Sequence, residues 1–249
     1  MRTPLMAGNW KMYKTPAQTK DFFAAFLPLV AEAKHCEIAI CPPFVNIAAA
    51  VDAAKTSRVG IGAQNLYWKN EGAFTGEISG PMIKASGAEW VIIGHSERRQ
   101  FFGETDATVL ERTKAALAAG LKPIVCVGEM LAEREANQTD AVLTTQFNGG
   151  IASLSSDEFA QIVIAYEPVW AIGTGKVATP DMAADAHRTI RGLVNAKYGA
   201  VAASKVRILY GGSVKPDNVK GLMAQPEIDG ALVGGASLEG GSFASIVNF

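Results

Sequence analysis

The sequence contains few cysteines and no long apolar run, which excludes several classes of protein. Only three of its 249 residues are cysteines. Cys36 and Cys41 lie on one predicted strand, where five residues span roughly 17 Å, too far for a disulfide. An odd number of thiols favours the reducing cytoplasm. No apolar run is as long as that of a signal peptide or of a membrane span. We therefore expect a cytoplasmic protein that does not bind membranes.

The charge balance excludes a second group of partners. Lys and Arg total 23 residues and Asp and Glu total 24, which gives a net charge of −1. Without a basic stripe, the chain is not expected to bind nucleic acid, and any phosphate specificity must be local. The histidines at 35, 95 and 187 are dispersed, and no CxxC or HExxH spacing is present. We therefore expect no metal site.

Short apolar runs alternate with helical patterns along the chain, which is typical of an α/β protein. Hydrophobic residues make up 49% of the sequence, enough for a large buried core. The apolar runs are nearly continuous, as in parallel strands that are covered by helices on one face and packed inside a barrel on the other. The predicted strands are Leu5–Asn9, Glu37–Cys41, Val59–Ala63, Trp90–Gly94, Pro123–Val127, Val163–Tyr166, Arg207–Tyr210 and Ala231–Val233.

Amphipathic or Ala-rich segments between these runs predict the helices. Thr179-Pro180-Asp181 predicts a helix start, with Thr179 as N-cap, proline at the first helical position and an acid that interacts favourably with the helix dipole. Gly120 and Gly199 lie where the C-terminal ends of helices are expected. No polar linker divides the chain. Eight β-then-α units predict a closed (β/α)8 barrel with eight parallel strands ringed by helices, as a single domain over residues 1–249. The predicted helices are Pro16–Ala33, Val45–Ala54, Pro81–Ala85, Asp106–Ala119, Asp140–Gln146, Asp181–Tyr198, Asp217–Ala224 and Ser242–Val247.

Side chains capable of acid-base chemistry follow three of the predicted strands. Asn9 and Lys11 come after the first, His95 after the fourth and Glu167 after the sixth. Loops after the strands form the active face of such a barrel, so we expect these residues on one rim. The alternatives are a solvated surface lysine and a hydrogen-bonded core histidine. His95 also precedes a possible helix start, where a neutral ring is favoured and can donate to a carbonyl.

The segment after Glu167 has the composition of a lid. Pro168 holds its φ at about −65°, whereas Gly173 and Gly175 can adopt conformations that other residues avoid. A carboxylate at a strand end beside such a loop indicates proton transfer that is shielded from water. The alternative is a solvated carboxylate followed by an ordinary turn.

Two glycine-rich turns follow the last two predicted strands. They are Gly211-Gly212-Ser213-Val214 and Gly234-Gly235-Ala236-Ser237. Without side chains, their backbone N–H groups can approach an anion, and a phosphate site at this place recurs in (β/α)8 barrels. Each glycine pair alone is more often a plain turn, but two pairs at neighbouring strand ends indicate a phosphate site.

Together these segments resemble the triosephosphate isomerase family, whose (β/α)8 fold is called the TIM barrel. The resemblance extends over essentially the whole chain and is carried by stretches that occur in the family's order. These stretches are Ala7-Gly8-Asn9-Trp10-Lys11-Met12, Gly94-His95-Ser96-Glu97-Arg98-Arg99, the run from Ala165 to Gly175, Tyr210-Gly211-Gly212-Ser213-Val214, and the run from Leu232 to Leu238.

The resemblance implies an activity and a role for each rim residue. The activity is interconversion of dihydroxyacetone phosphate and glyceraldehyde 3-phosphate through an enediolate, in glycolysis and gluconeogenesis, without metal or organic cofactor. Glu167 would be the base, and His95 the electrophile that polarises the carbonyl. Lys11 would stabilise the developing negative charge, held by Asn9, and Glu97 would orient the polar network.

The resemblance also implies how the substrate phosphate is held. Backbone N–H groups of Gly173, Ser213 and Gly235, with Gly234 beside them, would cradle it. Lid closure would exclude water and suppress elimination of phosphate from the enediolate. In this family Trp170 moves with the lid and bonds Glu129 when the lid is open. Tyr210 and Ser213 would receive the closed lid.

The long connection from Gln64 to Gly80 is implied to be an arm that inserts into a second subunit of a homodimer. Thr75 on this arm would approach Asn9 and Glu97 of the other chain, and the alternative is a mobile surface loop.

Two positions depart from the usual family pattern. Tyr13 replaces a common Asn near the expected interface, and Glu227 replaces a common Asp, which changes the reach of an ion pair with Arg191.

Two rival functions belong to other classes. A non-catalytic phosphate-binding barrel would lack one of Lys11, His95 and Glu167, and all three are present. A Schiff-base aldolase needs a desolvated lysine deeper on a strand, whereas Lys11 is the only rim lysine in a catalytic setting.

Overall fold

A computed structural model describes residues 2–249. Eight parallel strands close into a barrel in sequence order, and the last strand pairs with the first. The predicted barrel is therefore confirmed. No helix in this part of the chain is both long and apolar enough to cross a membrane. The strands are β1 (Leu5–Asn9), β2 (Glu37–Cys41), β3 (Val59–Ala63), β4 (Trp90–Ile93), β5 (Lys122–Val127), β6 (Val163–Tyr166), β7 (Ile208–Tyr210) and β8 (Gly230–Val233).

The strand boundaries agree closely with the prediction. β1, β2, β3 and β6 have the predicted bounds, and each of the others differs by one residue at one end. β4 ends before Gly94, whose φ of +70° is incompatible with an extended strand. A side chain there would also meet Val109 at 2.7 Å, so the turn into the next loop requires glycine.

Eleven α-helices are present in residues 2–249. They are α1 (Pro16–Val30), α2 (Ile47–Ala54), α3 (Gly80–Ala85), α4 (Ser96–Phe101), α5 (Asp106–Ala118), α6 (Leu131–Glu135), α7 (Thr139–Gly150), α8 (Ser156–Phe159), α9 (Pro180–Lys205), α10 (Val219–Met223) and α11 (Gly240–Val247), with 3-10 turns at Phe44–Asn46, Val169–Ala171 and Gly235–Ser237.

Several helix predictions were wrong in extent. Short α6 and α8 were missed because four or five residues are too few to show a helical period. The start of α9 is as predicted: the Thr179 side chain accepts from the Met182 N–H, with Pro180 next. At Gly199 the φ is +83°, the expected break, but helical structure then continues to Lys205.

The core has two layers. Alternate strand residues such as Leu5, Ala7 and Cys126 pack together as a smaller cluster, while Met6 and Val125 belong to the larger cluster with the helices. This alternation is expected of strands with both faces buried. The three cysteines are free and buried, and Cys36 lies one residue before β2 and not on it as predicted.

Charged residues near the amino-terminal ends of the last two strands form an ion-pair network. Arg191 on α9 binds Glu227 and Asp229, each at 2.7 Å. Arg2 also pairs with Asp229. The predicted Arg191–Glu227 pair is thus confirmed. In a (β/α)8 barrel, charges at this end contribute to stability, while the other end carries the chemistry.

Candidate active site

The loops after the strands enclose a cavity of about 350 Å³. It is bordered by eight of the nine residues that the sequence indicates as the site. The ninth, Glu97, lies outside the cavity wall and reaches the site through the Lys11 ammonium. The eight residues are Asn9, Lys11, His95, Glu167, Gly173, Ser213, Gly234 and Gly235.

Glu167 and His95 form a buried pair at one side of this cavity. Glu167 Oε1 lies 2.9 Å from His95 Nε2, and Oε2 accepts from the backbone N–H of Ser96 at 2.9 Å. The two side chains are only 2% and 7% exposed. The contact with Ser96 could not be seen in the sequence, because it joins backbone and side chain across 71 positions.

The start of α4 determines the tautomer of His95. Its Nδ1 accepts from the backbone N–H of Glu97 at 3.2 Å, so the remaining proton of a neutral ring is on Nε2. Nε2 is also the ring nitrogen that lies next to the Glu167 carboxylate. A proton on Nδ1 would face the Glu97 N–H, and this opposes the imidazolium form.

Burial and pairing act in opposite directions on these two groups. Burial lowers the pKa of His95, but the Glu167 carboxylate raises it, and the net direction is upward while the two are paired. Burial raises the pKa of Glu167, and His95 and the Ser96 N–H lower it to below its ordinary value. Glu167 is therefore ionised at neutral pH, as a base requires.

Lys11 is held in an unusual backbone conformation. Its φ is +49°, a left-handed value that is uncommon for a residue other than glycine. Asn9 Oδ1 accepts from the Lys11 N–H at 3.0 Å, and Gln64 Nε2 donates to the Lys11 carbonyl at 2.8 Å. The ammonium binds Glu97 Oε1 at 2.6 Å. Sequence reasoning missed Gln64, since an amide at the start of a long loop gives no distinctive signal.

The lid after β6 has a fixed base and a free tip. Tyr166 Oη and Trp170 Nε1 both donate to Glu129 Oε1, at 3.0 and 2.9 Å, which confirms the expected Trp170–Glu129 contact. Gly173 and Gly175 have φ values of +69° and +80°, and a side chain at either would meet nothing within 4 Å. The tip therefore has space to move, while its base is tied to a buried carboxylate.

The two glycine turns face the same cavity with bare backbone. Asn218 Nδ2 donates to the Ser213 carbonyl at 3.0 Å, and the Ser237 N–H donates to the Gly234 carbonyl at 2.8 Å, which stabilises each turn. Within residues 2–249, the N–H groups of Gly173 and Ser213 donate to no acceptor. Unused N–H groups around a concave surface are typical of anion sites.

The whole arrangement suits proton transfer on a small anionic carbonyl compound. A buried ionised carboxylate, an imidazole and an ammonium lie at one side of the cavity, and the bare turns lie after β7 and β8. The expected latch function of Tyr210 and Ser213 stays a prediction. Tyr210 is fully buried, and Ser213 borders the cavity.

Comparison with known proteins gives one consistent result. The family model described as triosephosphate isomerase matches residues 4–249. The chain is 68% identical to the triosephosphate isomerase of Solibacter usitatus over 249 residues, with both chains fully covered. It is 56% identical to that of Trichlorobacter lovleyi, covering all of this chain and 99% of the relative. The crystal structure of triosephosphate isomerase from Bartonella henselae has a TM-score of 0.89 at 38% identity, covering 99% of this chain and 98% of that one. By sequence and by fold, the chain belongs to the triosephosphate isomerase family.

Proposed function

We propose that this protein interconverts dihydroxyacetone phosphate and glyceraldehyde 3-phosphate through an enediolate, as its family does in glycolysis and gluconeogenesis. The observation that carries the proposal is the shared cavity: Glu167, His95 and Lys11 border the same space as the two glycine turns. A phosphate bound at the turns would bring the carbonyl of a three-carbon substrate to the three side chains. The steps are proton transfers, which these side chains can carry without a cofactor.

In the proposed first step, Glu167 removes the carbon-bound proton next to the carbonyl. The substrate carbonyl oxygen takes the place of Glu167 Oε1 at His95 Nε2, which frees the carboxylate to reach the C–H bond. His95 and the Lys11 ammonium then stabilise the negative oxygen of the enediolate. His95 moves the proton between the two oxygens, and Glu167 returns its proton to the neighbouring carbon.

Separation of His95 from Glu167 supports a neutral imidazole during this reaction. The Glu167 carboxylate is the main group that raises the pKa of His95 in the paired arrangement, and the Glu97 carboxylate adds a smaller effect in the same direction. Once substrate lies between them, burial and the Glu97 N–H at Nδ1 act in the direction that keeps the ring neutral. Asn9 and Glu97 act as positioning residues, since both bind Lys11, one at its backbone and one at its ammonium.

The substrate phosphate would bind to the backbone N–H groups of Gly173, Ser213 and Gly235, with Gly234 beside them. Gly173 belongs to the lid tip, so phosphate binding and lid closure would occur together. The unused N–H groups of Gly173 and Ser213 support this assignment.

The state of Lys11 distinguishes this function from a Schiff-base aldolase. A Schiff-base lysine must be an uncharged amine when it attacks a carbonyl. The Lys11 side chain is instead 23% exposed and bound to Glu97 Oε1 at 2.6 Å, so it is not the desolvated amine that such an aldolase needs. Borohydride treatment with dihydroxyacetone phosphate should leave the protein mass unchanged, and a covalent adduct would favour the aldolase.

A coupled isomerase assay on the purified protein tests the main proposal. We expect turnover of glyceraldehyde 3-phosphate, abolished by Lys11→Met or by Glu167→Gln with unchanged circular dichroism. A folded parent protein that binds inorganic phosphate but has no isomerase activity would establish the non-catalytic barrel in its place.

We further propose that the protein is a homodimer in which the Gln64–Gly80 arm inserts into the other subunit. Large apolar side chains are exposed on the arm, on the loop after β1 and at the end of α4, which is unusual for a monomer. Met12 is 93% exposed, Phe101 73% and Phe74, on the arm, 39%. A second copy of the chain would bury these side chains, with Thr75 near Asn9 and Glu97 of the other subunit.

The solution mass tests the dimer. We expect twice the chain mass of 26.2 kDa from light scattering. Thr75→Arg should shift the mass toward the monomer, because it places a bulky charge in the interface, while Lys69→Arg on the same arm serves as the control. Monomeric parent protein would overturn the proposal.

The three buried free thiols support a reducing, cytoplasmic location.

A further inference from the structure

A second cavity also borders Glu167. Its volume is about 110 Å³, and it is enclosed by α4, the end of β5, α6 and α7. We call it the rear chamber, and its polar walls include Arg99, Gln100 and Gln146. None of its enclosing helices borders the substrate cavity. Within residues 2–249, Glu167 alone borders both spaces, and its Oε2 accepts from the N–H of Ser96, which also borders the chamber.

The walls of the rear chamber have unused hydrogen-bonding capacity. Arg99 donates three of its N–H groups, to the Gly94 carbonyl, Asp106 and the Cys126 carbonyl. A guanidinium has about five, so two stay available. Gln146 uses one N–H and one oxygen lone pair on the backbone after β5, and keeps another of each. The volume fits about three water molecules at about 30 Å³ each.

The chamber also reaches the protein surface. Gln100 and Met130, both exposed, border it and lie 3.0 Å apart between Nε2 and Sδ. The same two residues border a groove of about 370 Å³ behind the lid. The chamber therefore opens into this groove, which meets the substrate cavity only at Ile172 of the lid.

We propose that the rear chamber is the route by which solvent water exchanges the proton held on Glu167 during turnover. This inference rests on the proposed function. Glu167 takes a proton from the substrate carbon and becomes a carboxylic acid. A chamber water accepts that proton and gives one of its own to the carboxylate, so charge and atoms balance. Glu167 then delivers the exchanged proton to the neighbouring carbon.

Isomerisation in D₂O tests the route, because each exchange places deuterium on the product carbon. We would measure the carbon-bound deuterium fraction by NMR for the parent and for Met130→Ala, Met130→Phe and Leu131→Ala. Met130→Ala enlarges the chamber mouth by about two waters, so the deuterium fraction should rise about 1.5- to 2-fold. Met130→Phe should lower it by a similar factor.

Leu131→Ala is the matched control, because Leu131 borders the groove but not the chamber. Its deuterium fraction should equal that of the parent. An equal fraction in all four proteins, with isomerase activity retained, would overturn the chamber route and leave the proposed function intact. Absence of isomerase activity in the parent would overturn both.

Discussion

The two halves of the substrate cavity are built in opposite ways. The half after β1, β4 and β6 presents side chains that are held by polar partners, as the Lys11–Glu97 and His95–Glu167 contacts illustrate. The half after β7 and β8 presents backbone from which side chains are missing. Each half should therefore be sensitive to the opposite kind of substitution. The first half should lose activity when side-chain atoms are removed, and the second half should lose activity when side-chain atoms are added.

The largest effect on turnover is expected from shortening the base. Glu167→Asp withdraws the carboxylate by one methylene from the substrate proton, and kcat should fall about 10²-fold or more with the fold unchanged. The coupled assay and circular dichroism measure these two properties. Glu135→Asp, on the exposed face of α6, is the control and should retain full activity. Near-normal turnover of Glu167→Asp would contradict the assignment of the base.

The next largest effect is expected from removing the lid tip, the one part of the proposed phosphate site that lies in the loop after β6. Deletion of residues 172–176 removes the Gly173 N–H and the cover over the intermediate. A hydrogen bond to a charged group is worth about 1.5–3 kcal/mol, so phosphate elimination should rise at least tenfold relative to isomerisation. The ratio of methylglyoxal to isomerised product measures this. An unchanged ratio would show that the lid does not protect the enediolate.

Added atoms should harm the bare half most where the least space is available. A methyl group on Gly212 would lie 2.2 Å from Tyr210 Oη and 3.0 Å from Pro168, whereas one on Gly235 would meet nothing within 4 Å. Overpacking of this kind costs about 1–3 kcal/mol. Gly212→Ala should raise KM about tenfold and lower Tm, and Gly235→Ala should keep the parent's Tm. Equal Tm values for the two variants would contradict this account.

The smallest effect on turnover is expected at His187, which packs behind the side-chain half against Tyr166. Burial lowers its pKa to about 4, so it is neutral at pH 7. The folded pKa lies below the unfolded value of about 6.5, so the unfolded state binds more protons between these values. Stability should then fall by on the order of 3 kcal/mol as pH drops from 6.5 to 4.

The variant His187→Gln should remove this contribution to the pH dependence while kcat at pH 7 changes little. Tm measured at several pH values for both proteins provides the test. The difference between the two Tm values should shrink as the pH falls, because only the parent then binds the extra proton in its unfolded state. A difference that is constant with pH would show that the pKa of His187 is the same in the folded and unfolded states.

Features encoded by short stretches could be predicted from the sequence. β1 and β6 were located because apolar runs end abruptly at polar residues, and the rim positions followed from the strand ends. Contacts between distant segments could not be predicted. The Ser96 N–H that holds Glu167, and the Gln64 amide that holds Lys11, depend on the closure of the barrel. The rear chamber is likewise a space between four elements and belongs to no single stretch.

The left-handed backbone at Lys11 sets stability against the proposed catalytic role of the side chain at one position. A non-glycine residue with φ of +49° costs roughly 1–2 kcal/mol, and glycine would relieve that cost. Lys11→Gly should therefore relax the main chain while removing the ammonium. Selection of random variants for thermal stability alone would favour such a replacement. The selected protein would be more stable but would lack isomerase activity. Only selection for turnover keeps lysine at this position.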